Sequence, residues 1–409
     1  MEHIETVVVG GGQAGLALSY YLSRHGSEHV VLERGVLADR WRAQRWDSLM
    51  FQFPNWSIEL PGARYEGDDP DGFADRATVQ AFIADYAARI QAPVRLGVDV
   101  TGLRRGRHDG RYLVVTTAGD IEARNVVLAS GPYQRPRLPD VAASLPHDLA
   151  QFHTADYRNP SQLPPGAVLL VGSGASGCQI AEELAEAGRR VYFAVGRHER
   201  VPRRYRGHDA FWWRRELGTL DQTTAATPKA MRTPPPLVTG VRGGYDVDIR
   251  GYPALGMTLT GRVVDVRDGV AAFAPDLEHH LSLGDRTFVE FLRAVDDHVL
   301  GAGLDAPPAD DAGSKRNPAP IEGPSTLDLR NEGIRSVLWA TGYAVDFGWV
   351  ELPVCDAEGA PMHEDGVTGL QGIYFLGLPW LRKRKSSFLG GIGEDAKLIA
   401  DRIAGARAR

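Results

Sequence analysis

Residues 6–15 read TVVVGGGQAG, and this stretch decides the fold of the chain. A run of β-branched residues leads into the glycines, and the mainly apolar run LALSYYL follows at residues 16–22. A third run, HVVLE at residues 29–33, has the composition of a second strand. The order strand, glycine turn, helix and strand predicts a βαβ unit, in which the helix joins two parallel strands.

Gly10, Gly12 and Gly15 match the spacing G-x-G-x-x-G between the first strand and the helix. The first glycine permits a tight turn, the second lets the backbone approach a diphosphate, and the third allows the helix to pack closely on the strand. The diphosphate then lies at the helix N-terminus, where we expect Gln13 and Ala14 to contact it. This turn therefore predicts a dinucleotide site.

An acidic residue stands at the end of the second strand of this unit. Glu33 follows Gly15 by 18 residues, and a carboxylate at this point accepts hydrogen bonds from the hydroxyl groups of a ribose. We assign Arg34, the next residue, to the same site. A purely structural glycine turn is the alternative, but the strand, the helix and the acidic residue together favour binding.

The pattern occurs a second time, in the stretch VLLVGSGASG at residues 168–177. Gly172, Gly174 and Gly177 have the same spacing as the glycines of the first motif, and a strand-like run follows them. We therefore predict a second dinucleotide site, in which Ser176 lies at the start of the helix.

The second motif lacks the acidic residue of the first. The position equivalent to Glu33 is Val195, and GRHER follows at residues 196–200. Loss of the carboxylate removes repulsion toward a 2′-phosphate, which a guanidinium can bind. We predict that Arg197 binds this phosphate; a solvated surface loop is the alternative. The first site then suits FAD and the second NADPH, with hydride passing from NADPH to the flavin.

Composition excludes several classes of protein. The chain has 409 residues and a formal net charge of -6, whereas a nucleic-acid binder carries a basic excess. No run approaches the roughly 20 apolar residues of a membrane helix, and the N-terminus enters a strand without the pattern of a signal peptide. Cys178 and Cys355 form no C-x-x-C, and the pair His279–His280 has no further metal ligand nearby in the sequence. We expect a cytoplasmic protein without a metal; its oligomeric state is left open.

The chain resembles the class B flavoprotein monooxygenases over nearly its full length. This group comprises flavin-containing monooxygenases, N-hydroxylating enzymes and Baeyer–Villiger enzymes. Besides the glycine motifs, the resemblance rests on DRWR at 39–42, ASGP at 129–132, LWATGY at 338–343, GLP at 377–379 and SSFLGGIG at 386–393. The resemblance implies a flavin site that includes Arg40, Trp41, Trp46, Ser130, Gly131, Thr341, Gly342, Gly377, Ser387 and Phe388.

Two departures from the family pattern leave the subclass open. His153 and Tyr157 match the second half of the fingerprint F-x-G-x-x-x-H-x-x-x-(Y/F/W), but the Phe and Gly of its first half are missing. Flavin-containing monooxygenases place a functional Asn where this chain has Gln52, with Asn55 three residues further on. The resemblance implies that one of these two amides acts in catalysis.

These observations predict an α/β fold with two dinucleotide-binding, Rossmann-like domains. Residues 1–164 and 330–409 would form a discontinuous FAD domain, and residues 165–329 an inserted NADPH domain. Within them we expect helices near 286–300 and 393–404 and a surface loop at 306–325.

The resemblance implies a monooxygenase that forms a peroxyflavin and inserts one oxygen atom from O2 into a small organic substrate, at nitrogen, sulfur, a carbonyl or carbon. Two alternatives remain: an NADPH-dependent flavin reductase or oxidase that releases peroxide, and a non-catalytic, redox-sensing flavoprotein.

Overall fold

The computed structural model describes residues 1–108, 110–229, 232, 236–309 and 319–407. Its strands, in chain order, are β1 (Glu2–Val9), β2 (His29–Glu33), β3 (Glu59–Leu60), β4 (Ala63–Arg64), β5 (Val94–Leu96), β6 (Val100–Arg105), β7 (Tyr112–Thr116), β8 (Ile121–Leu128), β9 (Arg135–Pro136), β10 (Ala150–His153), β11 (Ala167–Val171), β12 (Val191–Ala194), β13 (Arg204–Tyr205), β14 (His208–Asp209), β15 (Thr258–Thr260), β16 (Val263–Arg267), β17 (Val270–Phe273), β18 (Thr326–Asp328), β19 (Ile334–Trp339), β20 (Tyr343–Ala344) and β21 (Ile373–Phe375). Its α-helices are α1 (Gln13–Arg24), α2 (Asp39–Ala43), α3 (Arg76–Arg89), α4 (Ala175–Glu186), α5 (Ala210–Glu216), α6 (Leu277–Ala302) and α7 (Ile392–Arg407).

The first sheet is built around the first glycine motif. Its strand order is β5-β2-β1-β8-β7-β6, and β21 pairs with the end of β8. The pairs among β5, β2, β1 and β8 are parallel, as is that of β21 with β8, whereas β6, β7 and β8 pair antiparallel. Val7 and Val8 of β1 are fully buried, because the sheet is covered on both faces. Helices α1 and α7 pack against each other on this sheet.

The second sheet is built around the second motif and is parallel throughout, in the order β10-β19-β11-β12-β15. The chain leaves the first sheet after β8, completes the second sheet through β19, and returns to the first sheet with β21. The predicted α/β fold, with one sheet interrupted by the other, is therefore confirmed. Strands β10 and β19 lie outside the range 165–329, yet both belong to the second sheet. The proposed domain limits remain a prediction.

Helix α6 is longer than the sequence predicts, since it begins at Leu277 rather than near residue 286. Its first turns contain two histidines and Gly284, which are weak helix formers. A Cβ at Gly284 would lie 2.5 Å from Nε2 of His198, so the glycine is required by tertiary packing. The last helix, α7, spans Ile392–Arg407 and agrees with the expected helix near 393–404. Part of the predicted loop at 306–325, residues 310–318, lies outside the described residues.

Within the described ranges, no helix is long and apolar enough to cross a bilayer. The same residues contain no group of three or more His, Cys, Asp or Glu side chains that could hold a metal ion.

Candidate active site

The first glycine turn has the geometry of a diphosphate cradle. Gly10 has a φ of +115°, and a Cβ there would lie 2.6 Å from the carbonyl oxygen of Ala129 on the neighbouring strand end. A Cβ at Gly15 would overlap the carbonyl oxygen of Gly10. Gly12, at the N-cap of α1, has no atom within 4 Å of a Cβ position, so the space in front of the helix is open. Two glycines thus shape the turn, and the third leaves room for a ligand at the free amide groups.

Glu33 is held at the edge of this cradle by two backbone amides. Its Oε2 accepts a hydrogen bond of 2.8 Å from the amide of Gly11, and its Oε1 accepts one of 3.0 Å from the amide of Gly35. Each carboxylate oxygen retains a lone pair for a further donor. The residues present therefore fit the ribose of an adenine dinucleotide such as FAD.

The second glycine turn repeats the first in detail. Gly172 has a φ of +112°, and a Cβ there would lie 2.5 Å from the carbonyl oxygen of Ala340. A Cβ at Gly177 would overlap the carbonyl oxygen of Gly172, whereas Gly174, the N-cap of α4, again faces open space. The helix N-terminus is therefore available to a second diphosphate.

Arg197 differs from the arginines that follow it in the sequence. Arg200 pairs with Asp248 at 3.0 Å and Arg206 with Asp296 at 2.7 Å. Arg197 is exposed, and none of the residues that the structure describes pairs with it. Its guanidinium is thus available to a 2′-phosphate, two residues beyond Val195, which occupies the position of Glu33.

One cavity of about 1440 Å³ is lined by residues of the first turn and, at the second site, by Ser176 and Arg197. The sequence-predicted residues that line it are Gly10, Gly12, Gln13, Ala14, Glu33, Arg34, Arg40, Trp41, Trp46, Gln52, Ser130, Gly131, Ser176, Arg197, Thr341, Gly342, Gly377, Ser387 and Phe388. Gly15, Gly172, Gly174 and Gly177 belong to the turns just described but do not line the cavity, and Asn55 does not line it either.

The C-terminal segment closes over the first turn. The side-chain amide of Gln13 donates a hydrogen bond of 2.8 Å to the backbone carbonyl of Ser387. Gly377 has a φ of +78°, and a Cβ there would lie 2.6 Å from the Cβ of Ala14. Residues from the two ends of the chain thus form one wall of the cavity.

Three arginines concentrate positive charge near the first site. Burial lowers the pKa of the Arg40 guanidinium, and the nearby charges of Arg34 and Arg45 lower it further. An anionic ligand would relieve this repulsion. Arg45 also lies over the ring of Trp41, 5.7 Å from its centre. The charge and the flat ring both suit a flavin dinucleotide.

The structure separates the two amides that the sequence treats together. Gln52 lines the cavity, and its backbone carbonyl accepts a hydrogen bond of 2.9 Å from Nη1 of Arg203. Asn55 is 3% exposed and donates its amide to the carbonyl of Asp69 at 2.9 Å. Its Oδ1 has no hydrogen-bond partner among the described residues. The geometry favours Gln52 over Asn55 as the residue that meets a ligand.

Sequence reasoning missed one wall of the cavity, which contains Phe53, Phe211, Arg214 and Trp380. Arg214 follows Phe211 by three residues on α5, a spacing that places both on one helix face. This spacing is the one feature of the sequence that links Phe211 to Arg214. It does not show whether their shared face of α5 lines a ligand site.

Comparisons with known proteins agree with this geometry. A model of the pyridine nucleotide-disulphide oxidoreductase family matches residues 7–214. The chain is 33% identical over 407 residues to the Geobacillus kaustophilus protein named "Uncharacterized oxidoreductase CzcO-like", covering 98% of this chain and 99% of that one.

Two further comparisons point to flavin monooxygenases. The indole-3-pyruvate monooxygenase YUCCA1 of Oryza sativa subsp. japonica is 30% identical over 191 residues, which cover 46% of this chain and 47% of that one. The structure of a flavin-containing monooxygenase from Stenotrophomonas maltophilia superposes with a TM-score of 0.64 at 19% identity and covers 100% of both chains. The predicted resemblance is thus confirmed, and the chain belongs to the pyridine nucleotide-disulphide oxidoreductase family.

Proposed function

We propose that the protein is an FAD-dependent monooxygenase that oxidises NADPH and transfers one oxygen atom from O2 to a small organic substrate. The observation that carries the proposal is one cavity that is lined both by residues of the first glycine turn and by Ser176 and Arg197 of the second site. A nucleotide at each turn could reach into the same space, as hydride transfer requires.

The chemistry supplied by the bound cofactors would be hydride transfer from NADPH to FAD and activation of O2 by the reduced flavin. The residues of the chain would bind the two cofactors and orient them toward each other. The amides at the start of α1 and α4 hold the two diphosphates, while Glu33 and Arg197 distinguish a ribose hydroxyl from a 2′-phosphate.

Gln52 has a separate part in this proposal. Gln52 lines the cavity, and a carboxamide can donate a hydrogen bond without giving up a proton. Such a donor would stabilise an oxygenating flavin and disfavour the early release of peroxide. The neighbouring rings of Phe51 and Phe53, 5.7 Å apart, would exclude water from the same region.

A disulfide reductase, which the family name also covers, requires a reactive thiol. Cys178 is 1% exposed, and burial raises the pKa of its thiol. Neither Cys178 nor Cys355 lines the cavity. The arrangement therefore supports oxygen transfer better than chemistry at a protein thiol.

The test is to supply the FAD-loaded protein with NADPH, isotope-labelled O2 and a panel of amines, sulfides, ketones and carboxylic acids. Label in an organic product supports the proposal. If all electrons from NADPH appear as hydrogen peroxide with every substrate, the protein is an NADPH oxidase instead.

A further inference from the structure

The basic run RKRK at residues 382–385 does not act as one charged patch. Three of its side chains bind acidic residues outside the cavity, namely Asp221, Asp365, Glu394 and Asp395. Arg384 instead lines the cavity. A run that the sequence presents as uniform thus contributes one guanidinium to the interior.

Arg384 meets Arg214 at a shared carboxylate. The guanidinium of Arg384 lies 3.0 Å from Glu199, and Arg214 binds the other oxygen of the same side chain. The side chains of Arg214 and Arg384 are 6% and 11% exposed, so both cations are largely removed from water. Burial lowers the pKa of Arg384, and the charge of Arg214 lowers it further. The two buried cations thus lie close together and share the carboxylate of Glu199.

Arg214 also has an unsatisfied donor. Its Nε is buried and has no hydrogen-bond partner within the described part of the chain. A buried N–H group without a partner costs about 1–3 kcal/mol, and more when it is charged. This Nε is closed to solvent, so a ligand in the cavity would meet other atoms of the Arg214 side chain.

The remainder of the wall is aromatic. The rings of Phe53 and Phe211 are stacked with centres 4.3 Å apart, and Phe388 lies 5.3 Å from Phe53. Two guanidiniums lie near the ring of Trp380, that of Arg232 5.7 Å and that of Arg384 6.0 Å from its centre. The wall thus joins a flat apolar surface to an excess of positive charge.

We propose that Arg214 and Arg384 bind the carboxylate of the substrate, and that the substrate is a carboxylic acid with an aromatic or otherwise flat apolar body. This inference rests on the proposed function. A planar carboxylate matches the forked donors of a guanidinium, and the aromatic wall binds the rest of the molecule. A phosphate of the nucleotide has related oxyanion chemistry, so the test distinguishes these two sources.

The experiment is a calorimetric titration of the FAD-loaded protein with phenylacetate and phenylpropanoate and with their neutral amides, at constant ionic strength. We expect each acid to bind about tenfold more tightly than its amide. Arg384→Met should remove this preference by weakening the acid alone. Lys383→Met, a neighbour in the same run that faces away from the cavity, is the matched control and should retain the preference.

Arg384→Lys keeps a cation beside Glu199 but loses the forked geometry, and it carries the test if the Met variant does not fold. It should weaken the acid by a smaller factor and leave the amide unchanged. Equal affinity for acid and amide in the wild type, or binding of neither, would overturn the inference.

Titration of the same variants with NADP+ tests whether Arg214 and Arg384 bind a substrate carboxylate or a phosphate of the nucleotide. A loss of NADP+ affinity in Arg384→Met with an unchanged preference for acid over amide would assign the pair to the cofactor and overturn the inference. These titrations measure binding and require no turnover. A wild type that only releases peroxide would therefore refute the proposed monooxygenase activity, but it would not affect the measured preference for acid over amide.

Discussion

The two glycine turns of this protein have the same backbone but different residues after their second strands. Gly10 and Gly172 adopt φ values of +115° and +112°, and each faces the carbonyl oxygen of an alanine at the end of a neighbouring strand. At the first site, Glu33 is locked by two backbone amides, whereas at the second site Arg197 is exposed and lacks a described partner. We therefore propose that each turn binds a diphosphate and that the residues at the end of the second strand, Glu33 at one site and Arg197 at the other, select the nucleotide.

The largest expected effect tests whether the turns are equivalent in the fold. Gly15→Ala and Gly177→Ala each place a Cβ on a glycine carbonyl oxygen within the same turn. We expect each to lower the free energy of unfolding by about 3 kcal/mol, because the helix must move away from the strand. Urea unfolding of the variants measures this loss. If either variant unfolds at the same urea concentration as the wild type, the close approach of helix and glycine carbonyl oxygen in that turn is contradicted.

A smaller and more selective effect is expected at the central glycines. A Cβ at Gly12 or Gly174 meets no protein atom within 4 Å but enters the space in front of the helix. Gly12→Ala should therefore keep the stability of the apoprotein and weaken FAD about a hundredfold, whereas Gly174→Ala should keep FAD and weaken NADP+ by a similar factor. Flavin absorbance after gel filtration and titration with NADP+ measure the two affinities. Loss of the same nucleotide in both variants would break the assignment of the sites.

The next prediction concerns the residue that distinguishes the sites. Arg197→Ala should remove most of the preference for NADPH over NADH, because a charge-assisted hydrogen bond contributes about 1.5–3 kcal/mol, or roughly tenfold to a hundredfold in affinity. The rate of flavin reduction at varied concentrations of NADPH and of NADH measures this preference. Arg204→Ala is the matched control, since Arg204 binds the carbonyl oxygens of Gly243 and Gly244. A wild type that prefers NADH would show that Arg197 has another role.

The smallest effect is expected at Gln52, which lines the cavity. Gln52→Ala should keep NADPH oxidation and raise the peroxide released per NADPH about fivefold, because one hydrogen bond of about 1 kcal/mol is lost. Asn55→Ala should leave this ratio unchanged and lower the melting temperature, since Asn55 is buried and bonded to Asp69. Peroxide assays and thermal melts measure the two outcomes. Unchanged coupling in the Gln52 variant would remove this segment from the mechanism.

The sequence does not distinguish between chemically similar residues that lie close together in the chain. Gln52 and Asn55 are both amides, three residues apart, but only Gln52 lines the cavity. Arg384 and Lys383 are adjacent cations, yet Lys383 binds Asp221 at 2.7 Å while Arg384 binds Glu199 across the cavity wall. The two members of each pair have similar chemistry, and packing with elements distant in the chain determines which of them lines the cavity.

The sequence by itself determined the two strand–turn–helix units and the contrast between Glu33 and Val195. These features depend on glycine conformation and on hydrogen bonds between residues that are near one another in the chain. Three features are visible only in the folded chain: the hydrogen bond from Gln13 to Ser387, the cavity shared by the first turn with Ser176 and Arg197, and the meeting of Arg214 with Arg384. These contacts join residues far apart in the sequence, so they form only when the two sheets and the C-terminal segment pack together.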